Sequence, residues 1–115
     1  MVRSLILAAT LLAPGAAMAE LELVMVEQDG CVWCERWDTE IAPAYPKTDE
    51  GQIAPLRRVD LHAPIPEDLT FESTPRLTPT FILVEDGEER ARLEGYPGED
   101  FFWPMLSAMI ETATD

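Results

Sequence analysis

The residues best suited to chemistry are Cys31 and Cys34, the only two cysteines of the chain, which lie three positions apart. Thiols at this spacing can form a disulfide and reopen it by exchange with another thiol. The stretch 21–26 before them, which is apolar after Glu22, predicts a strand, and Trp37 and Ile41 follow Cys34 at the spacing of a helix face. The pair is therefore predicted to lie where a strand ends and a helix begins, which favours a dithiol/disulfide redox site.

The start of a helix favours a reactive thiolate. Backbone N–H groups in the first helical turn lack partners and carry positive partial charge, so a cysteine there has a lowered pKa and is nucleophilic near neutral pH. Cys31 is therefore predicted to be the accessible, attacking thiol, and Cys34, one turn further on, to be the largely buried resolving thiol. Val32 and Trp33 complete the active-site ring between the two sulfurs.

Two cysteines also have other uses. Zinc needs about four ligands, and His62 is the only histidine of the chain. A c-type haem requires a histidine directly after the second cysteine, where Glu35 stands. A purely structural disulfide stays open as an alternative, although a cross-link over so short a loop stabilises little. We predict a redox-active Cys31–Cys34 disulfide with no metal and no cofactor.

The first residues predict a secretory signal peptide over 1–19. Arg3 supplies the positive charge, residues 5–13 form the apolar segment, and Ala17-Met18-Ala19 is a small-residue cleavage site. The apolar segment is too short to span a bilayer comfortably, so we expect no membrane insertion after cleavage. This leaves one domain over residues 20–115, exported to an oxidising compartment, with a bacterial periplasm as the expected localisation.

The chain of 115 residues is strongly acidic, with a formal charge of −14. This charge argues against binding to nucleic acid, which needs a basic face, and against binding to anionic membrane surfaces. It is typical either of solubility alone or of a partner protein with a basic docking face.

The remaining pattern predicts the element order β-α-β-α-β-β-α, a three-layer α/β/α sandwich. The first helix should end before Pro43, and a short second helix should cover residues 67–73 after Pro66. Pro104 fits the last helix only in or near its first turn. Besides the first strand, the predicted segments are a helix over 31–42, a polar loop over 48–52, a strand over 56–61, a strand over 80–84, a hairpin turn at Asp86-Gly87, a strand over 90–94 and a final helix from Glu99. The last helix should turn one face to the core, formed by Phe102, Leu106, Met109 and Ala113.

Four short motifs are spread along the chain. They are Cys31-Val32-Trp33-Cys34, Val59-Asp60 at a strand end, Leu77-Thr78-Pro79-Thr80 before the apolar run 81–84, and Gly95 after the hairpin. Together they resemble the thioredoxin-like superfamily over residues 21–113. The resemblance implies a thioredoxin-like fold in its minimal, glutaredoxin-sized version, and it implies the activity of a thiol-disulfide oxidoreductase.

The same resemblance implies a substrate-binding turn. In this superfamily the proline before the third strand is cis and lies beside the disulfide, and the residue ahead of it offers its backbone to an extended substrate segment. These roles map onto Pro79 and Thr78. A trans turn that simply precedes a strand is the alternative.

The acidic, secreted, tryptophan-rich form of the chain is similar to periplasmic thioredoxin-like proteins encoded with sulfur-oxidation enzymes. This similarity implies a partner protein whose disulfide or persulfide is reduced, and a membrane electron donor that restores the thiols. Glu27, Asp29 and Glu35 place negative charge near the pair and oppose a thiolate, whereas Arg36 favours it. A less stabilised thiolate means a more stable disulfide, so we expect a reductase rather than a strong oxidant.

The chain departs from the pattern of thioredoxins proper in several respects, one of which concerns proton transfer. Six residues before Cys31, where they keep a buried acid as proton acceptor, stands Met25, and Glu27 is the nearest candidate replacement.

Two other functions stay open. One is a non-catalytic binding or adaptor module on the same fold, and the other is a chaperone that binds Cu(I) through the two thiolates.

Overall fold

The computed structural model describes residues 19–114, which form a four-stranded mixed sheet and three α-helices. The strands are β1 (Leu21–Glu27), β2 (Leu56–Asp60), β3 (Thr80–Glu85) and β4 (Glu88–Glu94). The helices are α1 (Val32–Glu40), α2 (Asp49–Ile53) and α3 (Glu99–Thr114), and a 3-10 turn covers Tyr45–Lys47. The strand order is β2-β1-β3-β4, with β1 parallel to β2 and the other pairs antiparallel. The predicted signal peptide lies outside the described residues except for Ala19.

The two central strands, β1 and β3, are apolar on both faces, as expected for strands covered from both sides. Alternate residues turn to opposite faces of the sheet. One face carries Leu23, Met25, Phe81 and Leu83, and the other carries Val24, Val26, Ile82 and Val84, all of them buried. The sheet therefore separates two hydrophobic clusters.

Both long helices, α1 and α3, pack on the first of these faces. Trp37 of α1 is fully buried there, with its ring centroid 5.4 Å from that of Phe81, 5.8 Å from Phe102 and 6.0 Å from Tyr45. Aromatic rings at such separations bury a large apolar area and fix the position of the helix against the sheet. This packing sets where α1, and hence the cysteine pair at its start, lies relative to β1.

The second face is covered by an irregular segment, so the predicted helix over 67–73 is wrong. Leu69 is buried and Phe71 partly buried against this face, and their spacing of two is that of an extended chain. Thr70 pairs with the hairpin instead, because its N–H donates to the Gly87 carbonyl at 2.8 Å and its carbonyl accepts from the Glu89 N–H at 3.0 Å. The α/β class is confirmed, but the second helix of the chain precedes β2, and the layer on this face is residues 61–77 without a helix.

The second helix of the structure occupies the segment predicted to be a polar loop. Thr48 caps α2, because its Oγ1 accepts from the Gly51 N–H at 3.0 Å, and Asp49 and Glu50 lie in the first turn. Gly51 is required there, since a Cβ would overlap the Tyr45 carbonyl oxygen. The first helix ends at Glu40, slightly earlier than predicted.

The hairpin turn follows the prediction, and the last helix begins at Glu99 as predicted but differs at Pro104 and on its buried face. Asp86 and Gly87 both adopt positive φ, at 49° and 84°, which is the geometry of a tight two-residue hairpin turn. Pro104 is the sixth residue of α3, beyond the first turn, and the helix nevertheless continues to Thr114. The buried residues of α3 are Phe102, Leu106, Ile110 and Ala113, with Met109 only partly buried beside them. Within residues 19–114, no helix has both the length and the apolar character needed to cross a membrane.

Candidate redox site

Cys31 and Cys34 form a disulfide at the N-terminus of α1, with their Cα atoms 5.2 Å apart. Cys31 is the N-cap residue in extended conformation, and its Sγ accepts a hydrogen bond from the Cys34 N–H at 3.1 Å. Gly30, at φ 75°, turns the chain between β1 and this cap. A thiolate at Cys31 would meet the same N–H donor and the positive end of the helix, so the geometry is suited to thiol chemistry.

The residues around the disulfide differ in exposure. Cys34 is 4% exposed, as expected of a resolving thiol, and Cys31 is 8% exposed, which is less accessible than predicted because its sulfur is turned toward Cys34. The ring residues between them project outward, with Val32 69% and Trp33 52% exposed. The Arg36 guanidinium lies over the Trp33 ring, 5.6 Å from its centroid. The sulfurs are thus recessed behind an exposed apolar rim.

The Thr78–Pro79 peptide bond is cis, and Pro79 is buried while Thr78 is partly exposed. The Pro79 carbonyl accepts from the Gly95 N–H at 2.7 Å, and Thr80 Oγ1 donates to the Leu77 carbonyl at 2.6 Å. These bonds fix the turn at the start of β3. Because β3 runs antiparallel to β1, this turn lies at the same edge of the sheet as the cysteine pair.

A hydrogen-bonded chain that sequence reasoning missed joins the two loops at this edge. Gln28 Nε2 donates to Thr78 Oγ1 at 2.9 Å, and Gln28 Oε1 lies 2.8 Å from His62 Nε2. A single polar residue after a strand carries no sequence signal of such a contact. His62 is exposed, and its backbone N–H donates to Asp60 Oδ1 at 2.7 Å.

A cleft of about 210 Å³ opens beside the disulfide. It is lined in part by the two cysteines and by the carboxylates of Glu27, Asp29, Glu35, Asp38 and Asp60. Three of these acids, Glu27, Asp29 and Glu35, are those predicted to place negative charge near the pair. The cleft therefore presents an acidic wall to anything that approaches the sulfurs from this side.

Arg58 neutralises two of these carboxylates. Its guanidinium is 2.6 Å from Glu27 Oε2 and 2.7 Å from Asp38 Oδ1, and it lies over the Trp37 ring at 5.7 Å. It also donates to the sulfur of Met25 at 3.7 Å. Burial lowers the pKa of Arg58, but the hydrogen bonds and charges of Asp38 and Glu27 outweigh burial and raise it, so Arg58 keeps its charge. Glu27, the predicted replacement acid, lines the cleft but is tied to this cation.

The two cysteine sulfurs of the site are soft ligands. Within the described part of the chain, no group of three or more His, Cys, Asp or Glu residues is placed to hold a metal ion. What the arrangement can do by itself is exchange a disulfide between Cys31, Cys34 and a third sulfur.

Comparisons with known proteins agree with this chemistry. No protein-family model and no curated protein matches the chain. Among solved structures, the periplasmic thioredoxin SoxS from Paracoccus pantotrophus, in its reduced form, is 54% identical, with a TM-score of 0.80 over 82% of this chain and 99% of that one. Thioredoxin (Mala s 13) from Malassezia sympodialis shares the fold at 17% identity, with a TM-score of 0.51 over 82% of this chain and 76% of that one.

The similarity to SoxS spans nearly the whole of that protein, and the Cys31–Cys34 pair of this chain stands at the helix start where a redox disulfide is expected. The predicted superfamily, fold and enzyme class are thereby confirmed. The chain belongs to the thioredoxin-like superfamily and is a thiol-disulfide oxidoreductase.

Proposed function

We propose that the protein is a periplasmic reductase that acts on a disulfide or persulfide of a partner protein. The observation that carries the attacking role of Cys31 in this proposal is its position as the N-cap of α1, with its sulfur accepting the Cys34 N–H at 3.1 Å. An N-cap sulfur receives both a backbone hydrogen bond and the field of the helix, and both stabilise a thiolate over a thiol.

The reaction begins with the reduced protein. The Cys31 thiolate attacks one sulfur of the partner disulfide, so that a mixed disulfide forms and the second partner sulfur leaves as a thiolate. The Cys34 thiol then loses its proton and attacks Cys31 Sγ. The Cys31–Cys34 disulfide closes, and the partner departs with two electrons. A persulfide follows the same course, with the outer sulfur leaving as hydrosulfide when the inner sulfur is attacked.

The turn at Thr78 and Pro79 is the proposed binding site for the partner segment. An extended segment can pair with the Thr78 backbone while its sulfur faces the recessed disulfide. The exposed side chains of Val32 and Trp33 provide apolar contact on the other side of the sulfurs. With these contacts to the partner segment, the proposed reaction requires no cofactor.

The negative charge beside the cysteine pair supports reduction over oxidation. Asp29 and Glu35 line the cleft, and within residues 19–114 neither of them forms an ion pair, whereas Glu27 and Asp38 share Arg58. Uncompensated negative charge disfavours a thiolate at the pair and so favours the disulfide form of this protein. A redox potential close to that of thioredoxins supports the proposal, and a potential as high as that of strong periplasmic oxidants contradicts it.

The proposed compartment and partners rest on sequence and likeness. Residues 1–19 have the features of a cleavable signal peptide, and the similar protein SoxS is a periplasmic thioredoxin. In an oxidising compartment the disulfide must be reduced again after each turnover, so we include a membrane electron donor in the proposal. The resemblance to proteins encoded with sulfur-oxidation enzymes makes a sulfur-carrying protein the proposed partner.

The two cysteines are distinguished by trapping. Cys34→Ser removes the resolving thiol, so the mixed disulfide on Cys31 should accumulate and the partner should be recovered covalently from periplasmic extract. Cys31→Ser should trap nothing. Non-reducing electrophoresis followed by mass spectrometry measures both, and equal capture by the two variants would contradict the assigned roles.

A further inference from the structure

Three loops meet at the edge of the sheet that holds the disulfide. The carboxyl ends of the parallel strands β1 and β2 lead into Gln28 and His62, and the antiparallel strand β3 begins just after Thr78. The side chains of these three residues form one hydrogen-bonded chain, with Gln28 in the middle. Gln28 stands three residues before Cys31, so this chain ties the cysteine loop to the Thr78 turn.

The orientation of the Gln28 side-chain amide sets the direction of these two hydrogen bonds. An amide oxygen only accepts hydrogen bonds and an amide nitrogen only donates them, so His62 Nε2 must donate to Gln28 Oε1, and Thr78 Oγ1 must accept from Gln28 Nε2. Because Thr78 Oγ1 is an acceptor in this bond, its own proton is free to point to a different acceptor.

The position of these hydrogen-bonded side chains also makes them rigid. Gln28 is half-buried, and its amide is held at both ends. His62 is itself anchored, since its backbone N–H donates to Asp60 Oδ1 at 2.7 Å. A side chain held in this way has already lost its rotamer freedom, so a partner that binds the turn does not have to order it.

We propose that Gln28 is a positioning residue for substrate capture. It holds the Thr78 turn at a fixed separation from Cys31 and leaves the Thr78 hydroxyl proton directed at a carbonyl oxygen of the partner's extended segment. Gln28 acts through Thr78 and not on the reacting sulfurs, and His62 orients its amide. This inference rests on the proposed function in one respect, namely that the Thr78 turn binds the partner.

The test compares a protein disulfide with a small one. Reduced wild-type protein, Gln28→Leu, Thr78→Val and the double variant are assayed on insulin and on 5,5′-dithiobis(2-nitrobenzoate), which has no peptide backbone to bind the turn. The ratio of kcat/KM on insulin to that on the small disulfide should fall about tenfold in each single variant, mainly through KM, which is the usual effect of losing one well-placed hydrogen bond. Thr78→Ser should restore the ratio. The double variant should lose no more than Thr78→Val, because the two residues act through one bond.

Gln52→Leu is the matched control, because Gln52 is an exposed glutamine of α2. It should leave the ratio unchanged. Equal loss on both disulfides in Gln28→Leu, or a double variant whose loss is the product of the two single losses, overturns the proposal.

Amide hydrogen exchange separates failure of this inference from failure of the proposed function. Wild-type protein that reduces neither disulfide overturns the proposed function. The positioning role is then still decided on the oxidised protein, where Gln28→Leu should accelerate exchange of the amides in residues 77–80 about tenfold and Gln52→Leu should not. Gln28→Ala serves as the second variant if the leucine side chain disturbs folding. Unchanged exchange in a folded Gln28 variant overturns the positioning role.

Discussion

Arg58 is the residue through which the acidic cleft affects the chemistry of the pair. It lies on the same face of the sheet as Met25, and it bridges Glu27 and Asp38, which line the cleft together with the cysteines. Without this cation, two carboxylates near the sulfurs would lose their counter-charge. The thiolate of the reduced protein is therefore expected to depend on a cation of β2 as well as on the helix start.

Replacing Arg58 by methionine should slow alkylation of reduced Cys31 by iodoacetamide several-fold at neutral pH, because unpaired negative charge lowers the thiolate fraction. Arg57→Met is the matched control, since Arg57 lies on the opposite face and pairs with Asp68 at 2.6 Å. The Asp68 bond raises the pKa of Arg57, and the Arg57 hydrogen bond lowers the pKa of Asp68. Equal rates in the Arg58 and Arg57 variants would show that Arg58 has no electrostatic effect on the pair.

At the scale of elements, the first helix is fastened at both ends. Its start carries the disulfide, and near its end Glu40 accepts a hydrogen bond from the Tyr96 hydroxyl at 3.0 Å. Tyr96 belongs to the loop between β4 and α3, so this bond links α1 to the segment that leads into α3. Burial first, and then the hydrogen bond to Glu40 and its charge, raise the pKa of Tyr96 from 10.0 to about 12.

This pKa shift predicts a specific loss of stability in alkali. A tyrosine whose pKa is raised on folding stabilises the native state fully below its unfolded pKa, and this contribution is lost as pH rises through the folded pKa. The free energy of unfolding should therefore fall between about pH 10 and pH 12, with Tyr96 contributing at most about 1.4 kcal/mol per pH unit. Tyr96→Phe should make this decline shallower in urea titrations at successive pH values. Identical slopes in the variant and the wild type would contradict the assignment.

At the scale of the whole molecule, we expect charge to influence which substrates approach the disulfide. The chain has a formal charge of −14, and the cleft beside the disulfide adds a local concentration of carboxylates. A field of one sign raises the local concentration of oppositely charged substrates and is screened by salt. This favours a partner whose reactive sulfur lies on a basic surface.

Small charged disulfides test this effect directly. Reduction of the cationic disulfide cystamine should be about tenfold faster than that of the anionic 3,3′-dithiodipropionate at low salt, and the difference should shrink greatly near 0.5 M salt, where screening extends to only a few ångström. Asp29→Asn, in the cleft, should lower the rate ratio, whereas Glu111→Gln, on α3, should not. A ratio that does not respond to salt would exclude electrostatic selection.

The sequence predicted the parts of the fold that depend on local pattern. The apolar runs of β1 and β3, the Asp86-Gly87 turn and the helix start at the cysteines are each determined by nearby residues. Pro66 predicts a helix over 67–73. In the structure, Thr70 pairs with the hairpin, and this tertiary contact keeps the segment extended. Thr48, which caps α2, is a typical helix N-cap residue, but the polar composition of residues 48–52 favours a loop.

The candidate site was predictable only in its covalent part. The spacing of Cys31 and Cys34 can be read directly from the sequence, and the motif around Pro79 can be recognised by its resemblance to the thioredoxin-like superfamily. The contact between Gln28 and Thr78 joins residues fifty positions apart, so no local pattern contains it. Arg58 was missed for the same reason, because its partners come from β1 and α1.

The side of the sheet that lacks a helix has a mechanical consequence. Residues 61–77 both shield the cluster around Val24 and lead without a break into Thr78, so motions that lift Leu69 from the sheet should also displace the proposed partner-binding turn. Arg76 is an exposed residue of this segment, so the rate of limited proteolysis after Arg76 should report how often the segment separates from the sheet. A bound partner should protect the same peptide bond from cleavage.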